Sequence, residues 1–246
     1  MPACRGGIIQ EMIHNAIILA GGYGTRLKSV VDDLPKPMAD INGKPFLEYL
    51  FNFISGQGIE NVILSVGYKY QDIRDYFGLN FNGLGLFYSI ENEPLGTGGA
   101  IHYAIKNFLL DSAEPVFIIN GDTFFEIDFN SLYNFHLEKE AHISIALKNM
   151  NNFERYGMVT INNEQRIICF TEKKFTESGT INAGIYILNT GIFSGYELPN
   201  KFSLERDFFE KYLNELRIYG KVFDGYFIDI GLPEDYERAK RELVNL

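Results

Sequence analysis

The stretch Ala16-Ile-Ile-Leu-Ala-Gly-Gly-Tyr-Gly-Thr-Arg-Leu27 decides the reading of the fold. Its first half, Ala16 to Leu19, is short, apolar on both faces and β-branched at two positions, which predicts a buried central strand of a parallel sheet. Gly21, Gly22 and Gly24 follow at once, with Thr25 and Arg26 behind them. Glycines take positive φ freely and let backbone N–H groups converge on an anion, and the Arg26 guanidinium adds a planar, permanently charged donor for phosphate oxygens. A plain glycine-rich turn would have the same glycines; an arginine inside the loop favours phosphate. Two other phosphate loops are excluded. A dinucleotide fingerprint starting at Gly22 needs a third glycine where Leu27 stands, and a Walker loop needs Gly-Lys-Ser/Thr where Thr25-Arg26-Leu27 stands.

Composition narrows the class. At 246 residues, the chain is long enough for one α/β domain with a large core, and no linker, repeat or low-complexity segment divides it. A net charge of −10 argues against a nucleic-acid or anionic-membrane surface, so positive charge for phosphates must be local. Cys4 and Cys169 form no metal spacing, and His14, His102, His136 and His142 share no ligand spacing. A reduced, cytoplasmic protein is the expectation. No apolar run approaches the roughly 18 residues of a membrane helix, and Gln10-Glu11 cuts off the only N-terminal apolar pair. Residues 1–14 read as a disordered leader ahead of a single domain over 15–246, with Met12 as an alternative start of translation.

Beyond the loop, Pro35 and Pro37 predict an extended segment that aims Lys36. Helices are predicted from Pro45 to Gly56, over Tyr70–Phe77, from the glycine-rich turn at Glu91–Ala100 to Leu109, over Ser131–Glu140, from Ser203 (N-cap) to Leu216, and from Pro233 to Val244. Strands are predicted at Asn61–Val66, Leu86–Ile90, Val116–Asn120, Ile143–Leu147, Arg155–Val159, Ile167–Lys174, Ile181–Tyr186, Ile218–Val222 and Tyr226–Gly231. Strands from Ile143 to Tyr186 lack intervening helices, which predicts an antiparallel section. Glu91 and Glu93 are carboxylates able to accept hydrogen bonds from a base edge. Asp122 ends a buried strand, a place for a metal ligand or for a common Gly-Asp turn. Asp229 interrupts an apolar strand, where a carboxylate without a cation is costly to bury. On charge pattern alone, Glu172 and Lys173 are a solvated edge pair.

Six motifs in register, from about Asn15 to Leu243, resemble the sugar-1-phosphate nucleotidylyltransferases: the glycine cluster closing on Gly-Thr-Arg-Leu, Leu34-Pro-Lys-Pro-Met, Glu93-Pro-Leu-Gly-Thr-Gly-Gly, Asn120-Gly-Asp-Thr, Glu172-Lys173 with Ile181-Asn-Ala-Gly, and Phe227-Ile-Asp-Ile-Gly. Within the family they look most like the branch that guanylylates heptose 1-phosphates. The resemblance implies a Rossmann-like, mostly parallel mixed sheet flanked by helices, with a small antiparallel section over the sugar site. It implies nucleotide binding by Leu19, Ala20, Gly21, Gly22, Gly24, Thr25, Glu93, Gly98 and Asp122. It implies catalysis by Arg26, Lys36 and Asp122, sugar-phosphate binding by Tyr156, Gly157, Glu172, Lys173 and Asn182, and Mg²⁺ on Asp122 and Asp229. The expected partners are a nucleoside triphosphate and a sugar 1-phosphate, with a homodimer possible and neither nucleic acid nor membrane involved. Because the chain stops after the catalytic domain, only this one activity is implied, supplying an activated sugar for surface polysaccharide.

The chemistry agrees with the residues. A sugar 1-phosphate is largely dianionic near neutral pH and attacks an α-phosphorus without a general base, so the protein must hold two polyanions in line and offset their charge. The lack of an obvious acid–base pair is therefore expected. Guanine is the expected base, because one carboxylate accepts from two of its donors. A nucleotide-sugar sensor would have lost a metal-binding aspartate or Lys36, and a nicotinamide enzyme would have the missing third glycine.

Overall fold

The computed structural model describes residues 12–22, 34–108 and 114–245. Strand β1 (Asn15–Leu19) leads, and short β2 (Asp40–Ile41) and β3 (Lys44–Pro45) pair with each other before α1 (Phe46–Gly56). Then come β4 (Asn61–Val66), α2 (Tyr70–Phe77), β5 (Asn80–Phe81), β6 (Leu84–Ile90), α3 (Gly96–Asn107), β7 (Pro115–Asn120), β8 (Thr123–Phe125) and α4 (Phe129–Glu138). The second half holds β9 (Ile143–Phe153), β10 (Met158–Ile161), β11 (Ile167–Thr171), β12 (Thr176–Asn189), β13 (Ile218–Val222), β14 (Phe227–Asp229) and α5 (Pro233–Glu242).

Four parallel strands in the order β7-β1-β4-β6 form the centre of the main sheet. The chain winds outward from β1 to β4 and β6, then returns to lay β7 on the other side of β1. Helices α1 and α2 consequently bury Leu50, Phe51, Ile54, Ile73 and Phe77 on one face, while α3 buries Ile101, Ala104 and Ile105 on the other. Each such Leu, Ile or Phe side chain contributes about 1.5–3 kcal/mol by leaving water. The strand order reverses between the neighbouring strands β1 and β7, and their carboxyl ends border a crevice.

The long strand β12 runs antiparallel to β7 through Ile185–Asn189 and to β9 along most of its length, and β10–β11 form an antiparallel pair at the edge. The predicted mixed sheet with an antiparallel section is thus present. Between Asn182 and Tyr186 the β9–β12 register shifts, and Gly184 takes φ +77°. A Cβ on Gly184 would collide with the Asn120 amide at 2.5 Å, so the bulge presses on the end of β7.

Four expectations differ in detail. The last residues of the expected leader are packed: Ile13 joins the core and the His14 carbonyl accepts the N–H groups of Glu60 and Asn61, while residues 1–11 lie outside the described residues. The Pro35-Lys36-Pro37 segment is extended only at Pro35; Lys36–Met38 form one 3-10 turn, because the fixed φ of Pro37 suits a first helical turn. Ser203 caps a helix by accepting from Arg206 N–H, but the segment Leu204–Glu210 is a wide π-helix. Strand β14 joins β8 in a separate two-stranded sheet, pairing Asp229 with Thr123, and does not extend the main sheet. Among the described residues, no helix is long and apolar enough to cross a membrane.

Candidate functional site

The crevice at the β1/β7 reversal holds a cavity of about 370 Å³, a size that suits a small ligand. Leu19, Ala20, Gly21 and Gly22 form its floor at the end of β1, and Asn120 and Asp122 close it at the end of β7. Glu91, Pro94, Gly96 and Thr97 come from the turn into α3, and Lys36, Pro37 and Gly231 from the far side. The remaining loop residues Gly24, Thr25 and Arg26 lie outside the described residues.

Close backbone contact shapes the floor. Gly121 donates its N–H to the Leu19 carbonyl at 2.9 Å, and a Cβ on Gly121 would meet that same oxygen at 2.7 Å. Only glycine lets the β7–β8 turn lie this near β1. Asp122 is thereby delivered to the cavity, where its carboxylate accepts from the Lys36 ammonium at 2.5 Å. The same Nζ stands 3.6 Å from the Asp229 carboxylate. Asp229 also accepts the Gly231 N–H at 2.7 Å, and Ile230 N–H bonds the Asp122 carbonyl at 3.0 Å, which stitches the two aspartates' strands together. Burial first, and the charge of Asp122 second, hold the Asp229 carboxyl above the usual range, against the pull of Lys36, the Gly231 N–H and Arg155. One ammonium thus spans two carboxylates whose mutual repulsion it does not fully offset.

Glu91 is fixed at both oxygens: Ser65 Oγ donates to one at 2.9 Å and the Leu95 N–H to the other at 3.0 Å. A carboxylate oxygen can accept more than one hydrogen bond, so Glu91 keeps acceptor capacity where it lines the cavity. Glu93, two residues on, is exposed and does not line the cavity. Gly98 is buried beneath Phe202, whose carbonyl accepts its N–H at 3.0 Å and whose ring occupies the space a Cβ would need. Its glycine serves packing.

The sugar-side residues divide. Tyr156 is half-buried, accepts from Arg155 at 2.9 Å, and its hydroxyl is held protonated well above the usual phenol range by burial and by the nearby Asp229. Gly157 leaves room for the Thr171 carbonyl, which a Cβ would approach to 2.7 Å. Asn182 sits on the β12 bulge with its Oδ1 accepting the Gly184 N–H. Glu172 and Lys173 are exposed between β11 and β12 and do not line the cavity. Sequence reasoning missed Glu205, which accepts from Tyr186 and Thr97; its Ser-Leu-Glu setting read as an ordinary first helical turn.

No group of three or more potential metal ligands occurs among the described residues. Asp122 and Asp229 nonetheless suit an ion that uses one or two carboxylates and takes its other oxygens from water and phosphate.

A family model for nucleotidyl transferases matches residues 15–245. The D-glycero-alpha-D-manno-heptose 1-phosphate guanylyltransferase of Aneurinibacillus thermoaerophilus is 51% identical over 93% of this chain and 97% of its own length. Its counterpart in Campylobacter jejuni is 50% identical over 90% of this chain and 96% of its own length. Among solved structures, HddC from Yersinia pseudotuberculosis complexed with GMP-PN shares 39% identity and superposes with a TM-score of 0.82 over 94% of this chain and all of that one. The cavity at the β1/β7 reversal, the Lys36–Asp122–Asp229 cluster and these likenesses converge: the chain belongs to the nucleotidyl transferase family, as a sugar-1-phosphate nucleotidylyltransferase.

Proposed function

We propose that the chain transfers the guanylyl group of GTP to D-glycero-α-D-manno-heptose 1-phosphate in the cytoplasm, releasing pyrophosphate. The observation that carries the reading is the single ammonium of Lys36 between Asp122 and Asp229, at the mouth of a cavity walled by Glu91. The names of the two relatives near 50% identity and the GMP-PN bound by HddC support guanine and heptose.

In this reading Gly21 and Gly22, continued by Gly24, Thr25 and Arg26, cradle the triphosphate with their backbone, while Leu19 and Ala20, whose N–H is held by the Ser65 carbonyl, line the floor beneath it. The Glu91 carboxylate accepts from guanine N1–H and the 2-amino group, a pair of donors that uracil and thymine lack. Glu91 takes this role in preference to Glu93, since it alone of the two lines the cavity. Lys36 leaves its aspartates for the α-phosphate, where charge builds as the sugar phosphate oxygen attacks in line and pyrophosphate departs. Tyr156, Gly157 and Asn182 hold the sugar, and Glu172 and Lys173 reach it from their exposed segment. Mg²⁺ held by Asp122 and Asp229 would supply charge neutralisation for the phosphate oxygens. The test is a matrix of ATP, GTP, CTP, UTP and dTTP against heptose, mannose and glucose 1-phosphates, read as pyrophosphate release. The highest kcat/KM is expected for GTP with the heptose; a preference for UTP, dTTP or a hexose would overturn the assignment.

A further inference from the structure

Thr97 stands on the nucleotide wall and Asn182 on the sugar-side bulge, and an unbroken hydrogen-bond chain joins them. Asn182 Nδ2 donates to the Tyr186 hydroxyl at 3.1 Å, and that hydroxyl donates to Glu205 Oε1 at 2.9 Å. The other oxygen, Oε2, accepts from Thr97 Oγ1 at 3.0 Å and from Ser203 Oγ at 3.0 Å. Thr97 Oγ1 in turn accepts the Leu204 N–H at 2.8 Å.

Each link is constrained. Tyr186 is 1% exposed, and burial with the adjacent Glu205 charge keeps its hydroxyl protonated, so it acts as a donor toward Glu205. The remaining Asn182 oxygen is committed to Gly184, which fixes the amide's orientation. Glu205 is presented by the π-helical segment Leu204–Glu210, a wide and uncommon turn that recurs at functional positions. Tyr186 is buried and the other members are half-buried, so a change at one link alters the polar partners of its neighbours, which couples the chain as one network.

We propose that Glu205 is a positioning residue that locks the nucleotide wall at Thr97 to the sugar side at Asn182, so that damage at one subsite is felt at the other. The proposal rests on the reading above, in which the cavity takes the nucleotide and Asn182 faces the sugar phosphate. Glu205 touches neither substrate; it acts through Thr97 and Tyr186.

The experiment compares wild type, Thr97→Val, Thr97→Ser, Glu205→Gln and the Thr97→Val/Glu205→Gln double variant in GTP affinity, in KM for the sugar 1-phosphate, in kcat and in melting temperature. Thr97→Val is expected to raise KM for the sugar 1-phosphate about fivefold although the residue lies on the nucleotide wall, and Thr97→Ser, which keeps the hydroxyl, to restore it. The double variant should be no worse than Glu205→Gln alone, as members of one network are non-additive. Thr97→Val altering GTP affinity alone, additive losses in the double variant, or a Glu205→Gln protein that melts earlier with unchanged KM and kcat would each overturn the proposal. A wild-type protein that releases no pyrophosphate would instead sink the functional reading, and GTP affinity in the same variants would still report on the network.

Discussion

At the residue scale, the site turns on three charges. The Lys36 side chain is 11% exposed and paired with Asp122 and Asp229, so its removal leaves two carboxylates facing each other and, in the proposed mechanism, an unstabilised α-phosphate. Lys36→Ala is expected to lower kcat by about 10²–10³-fold while GTP affinity falls far less, because the contact strengthens in the transition state. Equal losses in binding and turnover would remove that role. Asp229→Asn preserves shape, and its amide oxygen can still accept the Gly231 N–H, while the repulsion from Asp122 disappears. Without metal, the variant should melt at the same temperature or higher, yet not turn over; an early-melting, active variant would mark Asp229 as structural. Glu91→Gln should cut the preference for GTP over UTP by at least tenfold, the cost of pairing an amide N–H with a guanine donor. Lys36, Asp122 and Asp229 were legible in the sequence because proline, glycine and an apolar strand made each conspicuous. That Glu91 lines the cavity and Glu93 does not was not, since this depends on which way a turn faces.

At the element scale, the parallel strands and their helices follow closely from apolar runs and turn residues: Asn61–Val66 and Tyr70–Phe77 coincide with β4 and α2. Departures occur where long-range pairing decides. The full length of β12 is set by its partners β7 and β9, and the π-helical segment bears Glu205, whose hydrogen bonds to Thr97 and Tyr186 reach across the chain. His136 illustrates a similar tertiary contact. It joins α4 to β9 and β12, with its ring nitrogens 3.0 Å from Ser144 Oγ and 3.3 Å from Asn189 Oδ1, and burial, with a smaller push from His142, lowers its pKa to about 4. The folded state therefore resists a proton that the unfolded chain accepts near pH 6.5. Stability from this group is full above that pH, falls by up to about 1.4 kcal/mol per pH unit below it, and levels off under about pH 4. Melting curves from pH 7 to 4 should show a shallower acid loss in His136→Gln than in wild type; parallel curves would contradict this.

At the scale of the whole molecule, the fold creates the site by reversing direction once. The β7-β1-β4-β6 order places the reversal between β1 and β7, the β12 bulge closes on Asn120, and the β8–β14 pair carries Asp229 in from the far end of the sequence. The sheet class could be read from the apolar strands and the resemblance, whereas the separate β8–β14 sheet could not, because no local pattern encodes a partner so distant. All of this geometry serves one transfer between two anions. The most direct test is to incubate the protein with Mg²⁺, D-glycero-α-D-manno-heptose 1-phosphate and GTP labelled at the α-phosphate. The label is expected to appear in GDP-heptose, with one pyrophosphate released for each molecule formed. Label that stays in GTP, or emerges as GMP or GDP without sugar attached, would contradict the account.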